Sequence, residues 1–435
     1  MSLLSFFLWV NPANALDIPH EFYTLPNGLS VILIEDHSIP QVVVDTWYNV
    51  GSSDDPKGSS GFAHLFEHLM FMGTPRIPQG AFDNHIEENG GWNNASTHAD
   101  YTNYYNVGPS ETLPLLLFLE ADRMLEIDIT QEKLDLQRDV VRNERRQNYE
   151  DQPYGSIWLN LSEMMYPPGH PYHLEGIGSH EDLQAATLDT VTQFYQDWYM
   201  PNNATLCVAG DIDIAQTKSM IETYFGAIPV QQRTQAISAP IQEKPFLFEK
   251  IIYDHVHIPA ITIAWHTPAY LKKGDAELDI LANILAGAND SRFPQKWIQE
   301  STLVQEFEVF QLSNQHGSLF VVQAFVRPDV ELSALARELK ADIEAIGNGT
   351  QPILGEEIKR AVNDWKMHFY NNLESNLNTA EALQSLYFHT KETSNFSYLI
   401  SRYQTVIPQD IEKTIQQHLS PQKAAVLYVL PKEKE

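Results

Sequence analysis

Val31-Ile-Leu-Ile-Glu-Asp-His37, followed by Ile39-Pro40 and the alternating run Val42–Tyr48, reads as a strand, a turn and a second strand. About half the chain later the pattern returns: Ile251-Ile-Tyr-Asp-His255, then Ile258-Pro259 and Ala260–Trp265. Each copy runs on into a helical stretch, near Gly61–Met72 and Ala276–Leu285. Solenoid units are ~20–50 residues long, so a repeat of this length means duplicated domains. Between the copies, Ile228–Pro245 holds three prolines, four glutamines and few large apolar residues, as a linker does. The expected division is 16–227, a linker 228–245, and 246–435.

Tyr101–Val107 is aromatic-rich and strand-like. Leu113–Met124, Glu132–Tyr149, Leu183–Trp198, Leu332–Ile346 and Glu356–Leu386 carry helical periodicity. Antiparallel-rich sheets with helices packed on one side accommodate this mixture better than a doubly wound parallel sheet. The expected class is α+β, in two homologous domains.

The chain has 435 residues, 28 Lys+Arg against 57 Asp+Glu, a net charge of −29 and one cysteine. So acidic a surface repels phosphates, which argues against a nucleic-acid partner. A lone Cys207 excludes an intrachain disulfide and a cysteine-based zinc site, so any metal is held by nitrogen and oxygen. At the N-terminus Leu3–Val10 is apolar but too short to span a bilayer, and Ala13-Asn-Ala15 is an A-x-A cleavage pattern. The expectation is a signal peptide over 1–15, export to the periplasm and no membrane span, although no Lys or Arg precedes the apolar run.

His64-Leu-Phe-Glu67-His68 is an H-x-x-E-H sequence in a helical context, the mirror order of H-E-x-x-H. Residues four apart share a helix face, so His64 and His68 can bind one zinc ion. Glu67 is turned about a hundred degrees from His68 and is better placed to take a proton from the attacking water than to ligate. A catalytic zinc needs a third protein ligand. The helix 132–149 carries Gln137, Val141 and Glu144 on one face, but Glu132, Glu150 and Glu163 compete with Glu144, and the residues alone leave that choice open.

The stretch Gly61–Thr74 resembles the pitrilysin/insulinase family of zinc metallopeptidases, the inverzincins. So do Gly90–Tyr105, Arg138-Asp-Val-Val-Arg-Asn-Glu144 and Pro201–Asp211. The resemblance implies that Glu144, 76 positions after His68, completes the metal set, where the family has its third ligand about 75 residues on. It implies a substrate peptide added as a strand near Asn94, Ala95, Ser96 and Thr97. It also implies a short two-domain subunit forming half of a clamshell chamber, like the chains that pair in the mitochondrial processing peptidase and in bacterial heterodimeric peptidases. Two departures stand out. Family members commonly carry a glutamate where Gln137 stands, and an amide cannot act as a base. The Arg and Tyr that bind the substrate carbonyl fall at Ile298 and Gln305. The expected function is therefore a zinc endopeptidase subunit acting on extended, preferably basic peptides, completed by a homologous partner carrying the Arg/Tyr pair. Alternatives are an active homodimer, in which Arg292 or Tyr387 serves instead, and an inactive assembly or peptide-binding protein of the same fold.

Overall fold

A computed structural model of the protein describes residues 18–230 and 242–432. The expected signal peptide and most of the expected linker lie outside the described residues. The first half builds a six-stranded sheet from β1 (Glu21–Thr24), β2 (Ser30–Glu35), β3 (Gln41–Tyr48), β4 (Trp92–Thr97), β5 (Thr102–Pro109) and β6 (Ala204–Gly210), in the order β1-β2-β6-β3-β5-β4. The second half builds five strands, β7 (Glu249–Asp254), β8 (Ala260–Thr267), β9 (Val304–Leu312), β10 (Ser318–Val326) and β11 (Ala425–Pro431), in the order β7-β11-β8-β10-β9. The two orders superpose strand for strand once β1 is set aside, so the class is α+β with two homologous mixed sheets.

The repeated strand pairs are not hairpins. In each half the last strand inserts between them, β6 parallel to β2 and antiparallel to β3, and β11 parallel to β7 and antiparallel to β8. β3, β6 and β8 are buried almost throughout, because both faces of their sheets are covered.

Alternation along each strand feeds two cores. Val31 and Leu33 face helices of their own half, with Phe66, Leu117 and Phe225. Ile32, Ile34 and Val43 face the other way, onto Leu383, Leu386 and Phe396 from the second half. Reciprocally, Ala264, Leu427 and Val429 of the second sheet pack on Ile157, Leu161 and Met164 of the first-half helix Ser156–Met165. Each half thus covers the other's exposed sheet face. Each of the Ile, Leu, Val, Met and Phe side chains among them contributes about 1.5–3 kcal/mol, so the halves are held as one body around the cleft between them.

Two helical expectations are divided by the structure. The stretch 183–198 breaks at Ala186, and Thr187 caps the new helix Leu188–Trp198 by accepting from Thr190 N. The stretch 356–386 is two helices, Gly355–Asn372 and Asn376–Thr390. No described helix is long and apolar enough to cross a membrane.

Candidate metal centre

The helix Phe62–Leu69 carries His64, Glu67 and His68. Its start is fixed by Asp55, whose carboxylate accepts from Gly61 N at 2.7 Å and Ala63 N at 2.8 Å. Gly61 enters at φ +85°, and a Cβ there would meet the Gly178 backbone at 2.8 Å, so only glycine makes this turn. The buried Leu65 and Phe66 pin the opposite face of the helix in the core.

Glu144 comes from the last turn of the helix Gln131–Arg145, anchored through the buried Val141. The arginines of its motif are structural. Arg138 donates to Ala186 O at 3.1 Å, Arg142 to Gln184 Oε1 at 2.8 Å and Arg145 to Gly178 O at 2.5 Å. Arg138 and Arg142 tie this helix to the end of the helix His180–Ala185, and Arg145 ties it to the Gly178 loop that also abuts Gly61.

Glu144 Oε2 lies 3.6 Å from His64 Nε2 and 3.4 Å from His68 Nε2. One ligand atom from each residue falls within 4.8 Å of the others. Tetrahedral zinc with bonds of about 2.0–2.1 Å requires ligand–ligand edges of about 3.3–3.4 Å. The two imidazoles and one carboxylate fit zinc in both chemistry and spacing. With both Nε2 atoms facing Glu144, Nδ1 carries the proton, and His68 Nδ1 donates to Gln137 Oε1 at 3.2 Å. Gln137 therefore touches a ligand, and its own amide donates to Met72 Sδ. The competing carboxylates are engaged elsewhere: Glu150 with Arg145 and His180, Glu163 with Lys250. Glu132 lies exposed in the first turn of its helix.

Burial pulls the His64 imidazole down to about 4, with the His68 charge adding to the effect. Burial opposes charge on His68 too, but its hydrogen bond to Glu144 and the Glu67 and Glu144 charges outweigh burial and hold it above its ordinary value. The His68 hydrogen bond holds Glu144 below the usual carboxylate range despite burial. Burial pushes Glu67 up, against the hydrogen bond that Thr97 Oγ1 donates to its Oε2 at 2.5 Å.

His64, Glu67 and Glu144 open on a cavity of about 680 Å³ between the halves. His64, Glu67, Glu144 and Ala95, Ser96 and Thr97 of β4 line it from the first half, and Tyr270, Asn314 and His389 from the second. Among the described residues β4 is an edge strand, hydrogen-bonded to β5 alone. Asn94 lies one residue farther along it, its Oδ1 accepting from Ala95 N. The tie between Thr97 and Glu67 could not be read from spacing, because it joins residues 30 apart on different elements.

Neither Ile298 nor Gln305 lines the cavity; Ile298 packs on the second-half core and Gln305 is exposed on β9. Arg292 and Tyr387 do not reach it either. Arg292 forks onto Glu357 with two contacts of 2.7 Å, and Tyr387 shares a hydrogen bond with Ser30 Oγ at 2.8 Å.

Residues 30–169 match the family described as insulinase (peptidase family M16), and residues 185–363 match the peptidase M16 inactive domain. The chain belongs to the M16 peptidase family. Among M16 relatives, it is 29% identical over 366 residues to the zinc protease PqqE of Helicobacter pylori, covering 83% of this chain and 82% of that protein. It is 25% identical over 259 residues to the mitochondrial-processing peptidase subunit beta of Lentinula edodes, covering 58% and 55%. The crystal structure of a protease from Helicobacter pylori superposes with a TM-score of 0.87 at 25% identity, covering 95% of this chain and all of that one.

Proposed function

We propose that this M16 chain is a zinc-dependent endopeptidase subunit, with His64, His68 and Glu144 as the metal ligands and Glu67 as general base. The observation that carries the reading is the grouping of that donor set beside a cavity lined by His64, Glu144, Glu67 and the β4 edge. Zinc held there supplies Lewis-acid activation of water and of the substrate carbonyl. Glu67 accepts the water's proton on the carboxylate oxygen that Thr97 leaves free. Gln137 acts as a positioning residue, fixing the His68 tautomer through Nδ1. Asn94–Thr97 offer backbone donors and acceptors to an extended peptide, which favours unfolded substrates over folded ones.

Among the described residues no Lys or Arg lines the cavity to stabilise a developing oxyanion. Ile298, Gln305, Arg292 and Tyr387 all lie away from the cavity, which supports a homologous partner supplying an Arg/Tyr pair. Losing one oxyanion donor costs ~10²–10³ in kcat, so the isolated chain should be slow. The matching strand orders support the division into 16–227 and 246–435 about the linker 228–245. The apolar run Leu3–Val10 and Ala13-Asn-Ala15 support export to the periplasm.

The experiment is to strip metal with a chelator, restore zinc and follow cleavage of an unfolded peptide, with and without a homologous subunit. Activity that disappears and returns with zinc supports the reading, and stimulation by the second subunit supports the half-enzyme. Cleavage indifferent to chelation overturns the first, and full turnover by the chain alone overturns the second. Zinc binding with no cleavage under any pairing would favour the assembly or peptide-binding alternative.

A further inference from the structure

A second cavity, of about 500 Å³, adjoins the metal-centre cavity and shares His98, Tyr101 and Ser385 with its wall. It lies on the opposite face of the first sheet from the His64 helix, under the helices Gly355–Asn372 and Asn376–Thr390. Aromatic rings form much of its surface: Trp47 and Tyr101 stack with centroids 3.9 Å apart, and Phe369 lines it from the helices.

Glu381 is the one carboxylate in that lining, and no Lys or Arg shares the wall with it. Among the described residues its side chain has no cationic partner; its hydrogen bond comes from Asn103 Nδ2, at 3.5 Å. Behind the rings lies a second acid, Asp45, wholly buried. It accepts from Trp47 Nε1 at 2.9 Å, while its Oδ1 has no hydrogen-bond partner among the described residues. Burial pushes both acids above their ordinary values; the Glu381 charge adds to the effect on Asp45, and the Asn103 hydrogen bond opposes it at Glu381. The pocket thus combines negative charge, aromatic faces and room for a long side chain, with no positive charge of its own.

The pleat of β4 ties this pocket to the peptide path. Thr97 points to the metal face and bonds Glu67, while Ser96 points to the other face and donates to Asn103 Oδ1 at 2.5 Å. Asn103 in turn reaches Glu381. A peptide added to the β4 edge follows the same alternation, so every second side chain projects to the Glu381 side of the sheet.

We propose that this pocket is a specificity subsite for a basic substrate side chain, arginine above all, held by Glu381 and the aromatic wall around Trp47 and Tyr101. The inference rests on the peptidase reading for the seat of the peptide on β4, but not on turnover. A planar guanidinium pairs with a carboxylate through two hydrogen bonds and stacks on aromatic faces, which a lysine ammonium does less well. Selectivity here comes from a located carboxylate, not from the net charge of the chain.

The test uses metal-stripped full-length protein and fluorescent unfolded peptides in which each position in turn is arginine or citrulline, its neutral isostere. Anisotropy titration should give at least about tenfold tighter binding for arginine at one position or at alternate positions. In Glu381→Gln the arginine-to-citrulline ratio should fall to near one. Asn378→Asp, which adds a carboxylate to the same wall, should increase it. Circular dichroism of both variants checks that they fold. Equal affinity for the two peptides at every position, a ratio that survives Glu381→Gln, or no measurable peptide binding overturns the proposal. The zinc-loaded enzyme separates the two readings. Cleavage without arginine selectivity leaves the peptidase reading and removes the subsite, whereas selective binding without cleavage does the reverse.

Discussion

Replacing Thr97 with valine keeps the shape of the side chain and deletes one hydroxyl. That hydroxyl donates to Glu67 Oε2 at 2.5 Å, inside the cavity wall. A hydrogen bond to a charged group is worth about 1.5–3 kcal/mol, and about 1.4 kcal/mol is tenfold in rate. Thr97→Val should therefore lower kcat by about 10- to 150-fold, with zinc content unchanged because Thr97 touches no metal ligand atom. The sign of the pH effect follows from the opposing influences on Glu67. Burial raises its proton affinity and the Thr97 hydrogen bond lowers it, so removing the bond raises it further. A base must be unprotonated, so the acid limb of the rate profile moves to higher pH and the defect is larger at pH 6 than at pH 8. Thr97→Ser keeps the hydroxyl and should recover most of the rate. The assay is steady-state hydrolysis of a quenched-fluorescence peptide between pH 5.5 and 9 in the presence of a competent partner. A Thr97→Val enzyme within twofold of wild type at every pH, or a Thr97→Ser enzyme as slow as the valine variant, would refute the role given to this contact.

Glu144→Gln replaces the anionic ligand of the cluster by a neutral amide, and a competitive chelator titration should show zinc affinity lower by at least ~10²-fold; unchanged affinity would remove Glu144 from the set. A protonated imidazole cannot ligate, and the balance of contacts at His68 favours its charged form. On acidification zinc affinity should thus start to fall above pH 6.5, the ordinary histidine value, and a flat affinity down to pH 6 would contradict this. Tyr172 bridges the halves, donating to Asp100 Oδ1 at 2.6 Å and accepting from His316 N at 3.0 Å. Tyr172→Phe should cost about 1–3 kcal/mol, read as a lower denaturant midpoint with the same slope, and an unchanged midpoint would make that bridge energetically neutral.

What could be read from the sequence is what is local. β2, β3, β7 and β8 can be read because apolar runs bounded by turn residues repeat at half-chain distance. His64 and His68 could be paired because helix geometry alone puts them on one face. What lay beyond reach is what depends on long-range packing. The insertion of β6 and β11 between the repeated strands leaves no local trace. The helix Asn376–Thr390 packs on a sheet of the other half on one side and borders the second cavity on another, so it carries no single apolar stripe. The break after Asn372 therefore has no signature in the apolar pattern of 356–386. Glu144 cannot be told from its competitors by spacing, because its helix is held by long-range contacts of Arg138 and Arg142 with Ala186 and Gln184 and of Arg145 with Gly178. Glu381 gave no signal at all, because an isolated helix glutamate is ordinarily a solvated one.

In the proposed mechanism Glu67 performs proton transfer at a metal centre it does not help to build. Glu67→Gln keeps the volume of the side chain and its hydrogen bond with Thr97 while removing the base. Metal content by mass spectrometry and peptide turnover, measured on one preparation in the presence of a competent partner, separate the two roles. The variant should hold one zinc per chain as the wild type does, with turnover reduced by at least ~10²-fold. Retained turnover, or loss of zinc together with activity, would contradict the account.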